Sequence, residues 1–374
     1  MKLAVTVSRV IVGLLFIFSG LVKANDPLGL SYKMQEFFDL WGMSQFNSLT
    51  LGFSILIIAF EIIAGAALLL GWQMRLFSWL LLLLIIFFTF LTGYAYLSGK
   101  FKNCGCFGDC IPISAKASFI KDILLAILIG FLFWKRGLVK PLLSRRATFI
   151  SMAAVTLFSF GIQWYTLTYL PVADCLPFKT GNSMPEKMKM PANAIPDSTI
   201  ITFVYEKEGK QVEFTADKFP ADFNATTYKF ISRYDKIVRK GKNNEPPIKG
   251  FALTGISNVD STSVVLSQPT AFLLFCENFS KPVSAWEDDF AKLYAVASEK
   301  NIPLYLVTSQ PSEAVKAVAG TPFRSIQVFK CDYTAIRTAA RTNPELYLLK
   351  EGTIVDKWSY KNLTEAVEII DNKQ

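Results

Sequence analysis

Three cysteines within seven residues form the densest group of reactive side chains in this chain. Cys104, Cys106 and Cys110 lie in the run Cys-Gly-Cys-Phe-Gly-Asp-Cys, between two strongly apolar stretches. Because a thiolate attacks a disulfide through a mixed-disulfide intermediate, such cysteines at a water–lipid boundary can exchange electrons with another thiol protein. The glycine between Cys104 and Cys106 gives the backbone the freedom that a short-range disulfide needs. We therefore predict Cys104, Cys106 and Cys110 as redox thiols, with Cys110 as the resolving partner.

Two other uses of these cysteines stay open at this point. A structural disulfide could brace the loop, for example between Cys110 and Cys175, which follows closely on the last apolar stretch. The three thiolates and Asp109 could also hold zinc or iron, but their spacing matches no common metal site, and we predict none. The chain contains no histidine. This excludes histidine catalysis, histidine-ligated haem and the usual histidine-containing zinc sites.

The apolar stretches around the thiols predict a membrane protein. A helix needs about 20 apolar residues to cross the hydrocarbon core. We predict five transmembrane helices, at residues 3–22, 50–70, 76–98, 118–134 and 147–170. The first stretch continues without a small-residue cleavage site, so we interpret it as a retained helix.

Positive charge predicts how these helices are oriented. The most basic short loop, residues 135–146, should be cytoplasmic because cytoplasmic loops are enriched in Lys and Arg. The N-terminus then lies in the cytoplasm, and the thiol loop and all residues after 170 lie on the outer side, where an oxidising compartment permits disulfides. We expect a bacterial inner-membrane protein with a periplasmic C-terminal domain. Its net charge of +9 reflects this topology and comes with no pattern for nucleic-acid binding.

Two ionisable residues stand out inside the predicted helices. Arg9 lies in the first helix and Glu61 near the middle of the second. Charged residues inside a membrane are costly and usually pair within the bundle interior. We predict a contact between Arg9 and Glu61, which would serve either as a structural ion pair or as part of a proton relay.

Residues 1–136 resemble the DoxX family of four-helix membrane proteins. The resemblance rests on the Arg-Val-Ile-Val-Gly run at residues 9–13, the Phe-Ser-Gly-Leu-Val-Lys run at residues 18–23 and the segment of residues 60–71. The Cys-Gly-Cys-Phe-Gly run at residues 104–108, before another helix, resembles the MauE branch of that superfamily. MauE-type proteins are associated with disulfide maturation of envelope proteins, so the resemblance implies a redox role.

The rest of the chain divides into three parts by composition. They are a basic loop with a fifth transmembrane helix, a mixed and partly β connecting region, and an α/β region, at residues 137–170, 171–250 and 251–374. The connecting region carries strand-like runs at Ile200–Tyr205 and Gln211–Phe214. In the α/β region, Ala271–Cys276 is a buried-strand run and Ser284 begins a helix with a capping-box pattern.

The order of strands and helices in residues 251–374 resembles the thioredoxin fold. Asn343 to Gly352 is similar to the thioredoxin segment with the cis proline, which makes Pro344 the candidate cis proline. Residues 280–283, Ser-Lys-Pro-Val, stand where the resemblance places the reactive Cys-x-x-Cys, so the usual dithiol mechanism cannot operate there. We expect a binding or docking module. The predicted fold class is a membrane α-helical bundle followed by a soluble α/β thioredoxin-like domain.

Two cysteines remain inside the α/β region. Cys276 ends the first predicted strand of that region, and Cys331 follows the predicted strand Ser325–Phe329. Neighbouring strands could bring them together as a second thiol pair. Alternatively, both are buried free cysteines that fill the core as small apolar side chains.

The leading functional hypothesis is thiol–disulfide exchange or electron transfer between outer-side thiol proteins and the membrane quinone pool. A thiol–disulfide oxidoreductase is the enzyme class that would fit, with a quinone as the candidate cofactor. The expected partners are the lipid bilayer and an envelope protein, and not nucleic acid. The alternatives are a non-catalytic scaffold or docking subunit of a larger envelope complex, and a subunit of a quinone-linked oxidase.

Overall fold

The described residues of the chain form a bundle of membrane-length helices and two β-sheets. The computed structural model describes residues 1–99, 105, 108, 110–239, 241–255 and 257–371. Cys110 belongs to this described part. Cys104, Cys106 and Asp109, which the sequence singles out, lie outside the described residues.

In the first part of the chain, the described residues form six α-helices. They are α1 (Lys2–Ala24), α2 (Pro27–Leu40), α3 (Thr50–Leu70), α4 (Met74–Ser98), α5 (Ala115–Lys135) and α6 (Arg145–Thr168). Within the described residues, all of these except α2 are long and apolar enough to cross a membrane. This finding confirms the five predicted transmembrane helices. The sequence does not predict α2, whose N-terminus is capped by Asp26 through a 2.9 Å hydrogen bond from the Gly29 amide.

Small residues bring α1 and α3 together as close antiparallel neighbours. A Cβ atom at Gly65 would lie 2.7 Å from the backbone oxygen of Gly13, and one at Gly20 would lie 2.5 Å from the Ile62 side chain. Small residues at such positions let the backbones of membrane helices approach each other. The contact between α1 and α3 therefore depends on glycine.

The second part of the chain holds a small antiparallel sheet. Its strands are β1 (Ser198–Lys207), β2 (Lys210–Thr215) and β3 (Tyr228–Arg239), in the order β2-β1-β3. The predicted runs Ile200–Tyr205 and Gln211–Phe214 lie within β1 and β2. Glu208 and Gly209 join these strands in a two-residue turn with φ values of 52° and 74°, which suits the twist of a hairpin.

The third part is a five-stranded mixed sheet with helices on both faces. Its strands are β4 (Ala271–Cys276), β5 (Leu304–Thr308), β6 (Gln327–Lys330), β7 (Glu345–Lys350) and β8 (Thr353–Ser359), in the order β6-β5-β4-β7-β8. Its helices are α7 (Met184–Lys187), α8 (Thr262–Leu266), α9 (Glu287–Glu299), α10 (Pro311–Val318), α11 (Tyr333–Ala339) and α12 (Leu363–Asp371). β4, β5 and β6 run parallel, and β7 is antiparallel to both β4 and β8.

Strand β4 is buried on both faces. Phe272 and Leu274 pack into the core with α9 and α12, whereas Leu273 and Phe275 pack into the core with α8 and α11. The sequence of a strand that is covered on both faces is a continuous apolar run. This is why the sequence predicts Ala271–Cys276 correctly.

The start of α9 differs from the predicted capping box at Ser284. A short 3-10 turn covers Val283–Ala285, and α9 begins at Glu287 with no side-chain cap. Trp286, at this boundary, turns into the core, where its ring centroid lies 5.4 Å from that of Phe290. Burial of this large ring outweighs the local capping pattern.

The α/β core begins earlier in the chain than predicted. Phe178 and Met184 are buried in the same core as Leu273. The Met184 amide also donates to the Gly352 carbonyl at 2.8 Å. Phe178 and Met184, which the sequence assigns to the connecting region, therefore pack with the α/β unit.

We predict that Gly65→Ala destabilises the bundle. The new Cβ would lie 2.7 Å from the Gly13 backbone oxygen, and overpacking of this kind costs about 1–3 kcal/mol. Gly52→Ala in the same helix is the matched control, because a Cβ there meets nothing within 4 Å and alanine favours a helix. Thermal unfolding in detergent, followed by circular dichroism, should give a lower apparent melting temperature for Gly65→Ala alone. Equal melting temperatures would show that the close contact of α1 and α3 is not required.

Candidate functional site

A disulfide lies at that end of the helix bundle on which the α/β unit packs. We call this end the outer end. Cys110, in the loop between α4 and α5, is bonded to Cys175, which follows α6, and their Cα atoms are 4.8 Å apart. This pairing is the structural disulfide that the sequence left open as an alternative to a redox role for Cys110. Cys110 is therefore not the free resolving thiol that the leading prediction made it.

Asn25, just after α1, holds the segment that carries Cys175. Its side chain donates to the Ala173 carbonyl at 2.7 Å and accepts from the Ala173 amide at 2.8 Å. The Asn25 side-chain nitrogen also lies 3.8 Å from the Cys110 sulfur. The end of α1, the disulfide and the segment after α6 are thus fastened together at one place.

A cavity of about 130 Å³ lies within the bundle and is lined at one side by Gly105. Helices α1 to α5 all contribute to its walls, and so does Gly105, the residue between Cys104 and Cys106. A Cβ atom at Gly105 would lie 3.0 Å from the Lys33 side chain of α2. The apolar walls include Phe16, Phe37, Trp41, Phe88 and Leu91. The cavity thus extends from the apolar interior to Gly105.

Lys23 and Glu61 form a buried ion pair in the cavity wall. The Lys23 Nζ atom lies 2.6 Å from Glu61 Oε1, and the two side chains are 4% and 2% exposed. Lys23 also donates to Ser19 Oγ at 3.0 Å, and its Nζ atom lies 5.1 Å from the Phe88 ring centroid. The second carboxylate oxygen, Glu61 Oε2, is buried and has no hydrogen-bond partner among the described residues.

The predicted contact between Arg9 and Glu61 is wrong. The packing of α1 on α3 puts Gly20 beside Glu61, so that a Cβ at Gly20 would lie 3.3 Å from the Glu61 Cβ. Arg9 lies eleven residues before Gly20, roughly 16 Å further along the helix axis. Lys23, about one turn beyond Gly20, reaches the carboxylate instead.

A second polar group lines the cavity at α4 and α5. Asp122, which is 1% exposed, accepts a hydrogen bond from Thr92 Oγ1 at 3.0 Å and pairs with Lys121 Nζ at 2.8 Å. These residues are not among the predicted site residues. A carboxylate inside an apolar helix is the signal that could have found them.

The α/β unit docks on α2 through charged and aromatic side chains. Arg341 Nε lies 2.7 Å from Asp26 Oδ2, and the two side chains are 5% and 10% exposed. The Arg337 guanidinium lies 3.5 Å from the Tyr32 ring centroid, and its Nε atom lies 3.6 Å from Glu277 Oε1. No local pattern predicts this interface, because Asp26 and Arg341 are 315 positions apart.

The loop with Pro344 lies at this docking face. The Asn343–Pro344 peptide bond is cis, as predicted. The Asn343 side chain accepts from the Glu277 amide at 3.0 Å and donates to the Asn278 carbonyl at 2.8 Å. The segment after β4 and the Pro344 loop therefore lie side by side, and the chain's own bundle is the partner of this face.

Cys276 and Cys331 do not form the alternative second thiol pair. Both are free and buried. Cys276 packs in one core with Phe272 and Leu274, whereas Cys331 packs with Phe329 in the core on the opposite face of the sheet. Burial raises the pKa of the Cys276 thiol and raises that of Cys331 to about 11. Both residues are therefore core side chains and not exchange thiols.

Comparison with known proteins shows what two parts of the chain are similar to. Residues 1–135 match the family model described as methylamine utilisation protein MauE, and residues 193–240 match a domain of unknown function. Protein TlpB of Flavobacterium psychrophilum is 29% identical over 129 residues, which make up 34% of this chain and 35% of that protein. The chain thus matches about a third of the length of this relative. No solved structure matches the chain.

We predict that Arg341→Met loosens the α/β unit from α2. Loss of one partner leaves the buried Asp26 carboxylate unpaired, which is more costly than loss of both charges. Amide hydrogen exchange in α2 should become at least about tenfold faster. Asp26→Asn keeps a good helix cap and removes the charge that Arg341→Met leaves unpaired. The double variant Arg341→Met with Asp26→Asn should therefore exchange more slowly in α2 than the sum of the two single effects predicts. Arg324→Ala, at an exposed position of the α/β unit, is the control, and strictly additive effects would contradict the buried pair.

We predict that Cys276 and Cys331 stay unlabelled by iodoacetamide in the folded protein and react after unfolding. With a pKa of about 11 for Cys331, roughly one of its thiols in a thousand is ionised near pH 8, and only the thiolate reacts. Peptide mass spectrometry measures the labelled fraction. Rapid labelling of either residue in the folded protein, or a disulfide between them, would contradict the buried positions.

Proposed function

We propose that this protein is a thiol–disulfide oxidoreductase of a bacterial inner membrane. In this proposal, Cys104 and Cys106 carry two electrons from an outer-side dithiol protein to a quinone in the membrane. The observation that supports it is the cavity, which is lined by Gly105, between the two cysteines, and by the buried side chains of Lys23 and Glu61. The MauE resemblance, with its implied role in disulfide maturation, favours the same conclusion.

The proposed exchange consists of two balanced steps. A thiolate of the partner attacks the Cys104–Cys106 disulfide, and a mixed disulfide forms. The second thiol of the partner then attacks the mixed disulfide. The partner leaves with an internal disulfide, and both Cys104 and Cys106 become thiols. A quinone then takes two electrons and two protons from these thiols and becomes a quinol, while the bond between Cys104 and Cys106 forms again.

The Cys110–Cys175 disulfide acts as a brace in this mechanism. It ties Cys110 to the segment after α6, and the Asn25 side chain contacts both the Cys110 sulfur and the backbone of Ala173 in that segment. Two reactants that are held in place react as if at high concentration, so a fixed loop favours electron transfer to a quinone nearby. Reduction of the brace should loosen the loop without supplying electrons to the exchange.

The α/β unit serves as a thioredoxin-like domain that lacks the reactive dithiol. Its strand order, the cis bond before Pro344 and the contact of Asn343 with the end of β4 support this assignment. Residues 280–283 offer no thiol for exchange. The role of the domain is to hold the outer end of the bundle through α2. The basic loop at residues 135–146 favours a periplasmic outer end.

A non-catalytic scaffold is the second candidate function. The buried pair of Asp26 and Arg341 and the Cys110–Cys175 disulfide fasten three parts of the chain at the outer end. A rigid outer end of this kind suits a docking subunit of a larger envelope complex. In that case the cysteines would be structural.

Quinol formation by the reduced protein tests the proposed function. Purified protein is reduced, freed of reductant and mixed with decylubiquinone or menadione, and quinol is followed by absorbance. Cys104→Ser and Cys106→Ser should each lower the rate at least about 100-fold, because a lone thiol cannot close the disulfide. Cys276→Ala removes a buried thiol outside the loop and should leave the rate unchanged.

Two outcomes would contradict this function. Equal rates in wild type, Cys104→Ser and Cys106→Ser would remove the loop cysteines from the reaction. A stable stoichiometric complex with an envelope protein, with no quinol formed by any variant, would favour the scaffold.

A further inference from the structure

Among the described residues, one carboxylate oxygen in the bundle has no hydrogen-bond partner, although it is buried where the loss of a hydrogen bond is costly. Glu61 is 1% exposed, and its Oε2 atom has no partner among the described residues, while Oε1 is held by Lys23. Buried polar atoms are nearly always hydrogen-bonded, and a carboxylate within a membrane needs this most. Both side chains line the cavity. The cavity thus offers an acceptor, beside a donor ammonium, to whatever molecule enters it.

The size and walls of the cavity suit one aromatic or quinonoid ring. Its volume is about 130 Å³, and an apolar cavity of about 150 Å³ is known to hold a benzene ring. The walls include the aromatic residues Phe16, Phe37, Phe88 and Trp41, and aromatic rings pack favourably against one another.

The cavity also reaches the lipid-facing surface of the bundle. Leu15 of α1 and Phe87 of α4 both line it, and they are 36% and 45% exposed at the surface. A ligand could therefore enter sideways from the bilayer, and an apolar tail could extend back between α1 and α4. This route selects a molecule that is dissolved in the membrane.

Two separate polar groups in the cavity wall favour a ring with two oxygens over an acyl chain as the ligand. Lys23 and Glu61 come from α1 and α3, whereas Asp122, with Thr92 bonded to it, comes from α4 and α5. All four line the same apolar cavity. An acyl chain would leave both groups facing methylene groups, which is unfavourable for buried charge.

We infer that this cavity is the binding site for the ring of a membrane quinone. The Lys23 ammonium donates a hydrogen bond to one ring carbonyl, and Glu61 Oε2 accepts one from a ring hydroxyl once the quinone has been reduced. The inference rests on the proposed function, since it names the site at which the loop thiols deliver two electrons and two protons. The reduced ring gains two O–H bonds as the two thiols lose their S–H bonds.

Photolabelling of the oxidised protein tests the site without any thiol turnover. A short-tailed azidoquinone is bound and activated by light, and the labelled peptides are identified by mass spectrometry. Leu91→Trp, which fills the cavity from α4, should lower labelling of cavity peptides at least about tenfold. Leu83→Trp is the matched control, because Leu83 lies on the same helix and is 58% exposed outside the cavity. It should leave labelling unchanged.

A second variant tests the polar groups and guards against misfolding. Lys23→Met with Glu61→Gln removes both charges together and so leaves no unpaired ion. It should lower labelling to a similar extent, with an apparent melting temperature that shows a folded bundle. Decylubiquinone should displace the probe, and palmitic acid should not.

The outcomes separate this inference from the proposed function. Undiminished labelling in Leu91→Trp, absence of labelling in wild type, or equal displacement by palmitic acid would each overturn the quinone site. Labelling that depends on Leu91, together with quinol formation that does not depend on Cys104, would keep the site and overturn the thiol mechanism.

Discussion

The ion pair between Lys23 and Glu61 is the interaction on which the outer end of the bundle depends. An unpaired charge within a membrane helix costs about 3 kcal/mol or more, so the 2.6 Å contact between Nζ and Oε1 fixes the height of α1 against α3. The near contact of Gly13 and Gly65 fixes the distance between the same helices. Together, these contacts determine where α1 ends.

The end of α1 in turn positions the other parts of the molecule. Asn25 holds the segment that carries the disulfide to Cys110, and Asp26 binds Arg341 of the α/β unit. Because Lys23 lies only two residues before Asn25, a shift of α1 would move the disulfide and the α/β unit together. The same pair also lines the cavity that Gly105 reaches. Packing between α1 and α3 and the positions of the disulfide and the α/β unit are thus coupled through one helix end.

Several of the individual elements are predictable from the sequence, whereas most contacts between helices, and those between the bundle and the α/β unit, are not. Apolar length reveals the membrane helices, and a continuous apolar run reveals Ala271–Cys276. The partner of Glu61 is mistaken for Arg9, because spacing along one helix says nothing of the offset between two helices. The pair of Asp26 and Arg341 joins parts of the chain that share no local pattern. The thiol loop is evident from the sequence, whereas the cavity beside it arises only when α1 to α5 pack together.

The central claim is that a membrane quinone oxidises the pair formed by Cys104 and Cys106. Cysteine pairing in the reduced protein, trapped with acid and a thiol reagent before and shortly after quinone is added, tests it most directly by peptide mass spectrometry. We predict a new Cys104–Cys106 disulfide that appears in step with one quinol per protein, while Cys276 and Cys331 remain thiols. Quinol that forms while Cys104 and Cys106 stay reduced, or a loop that stays reduced with quinone in excess, would contradict the claim.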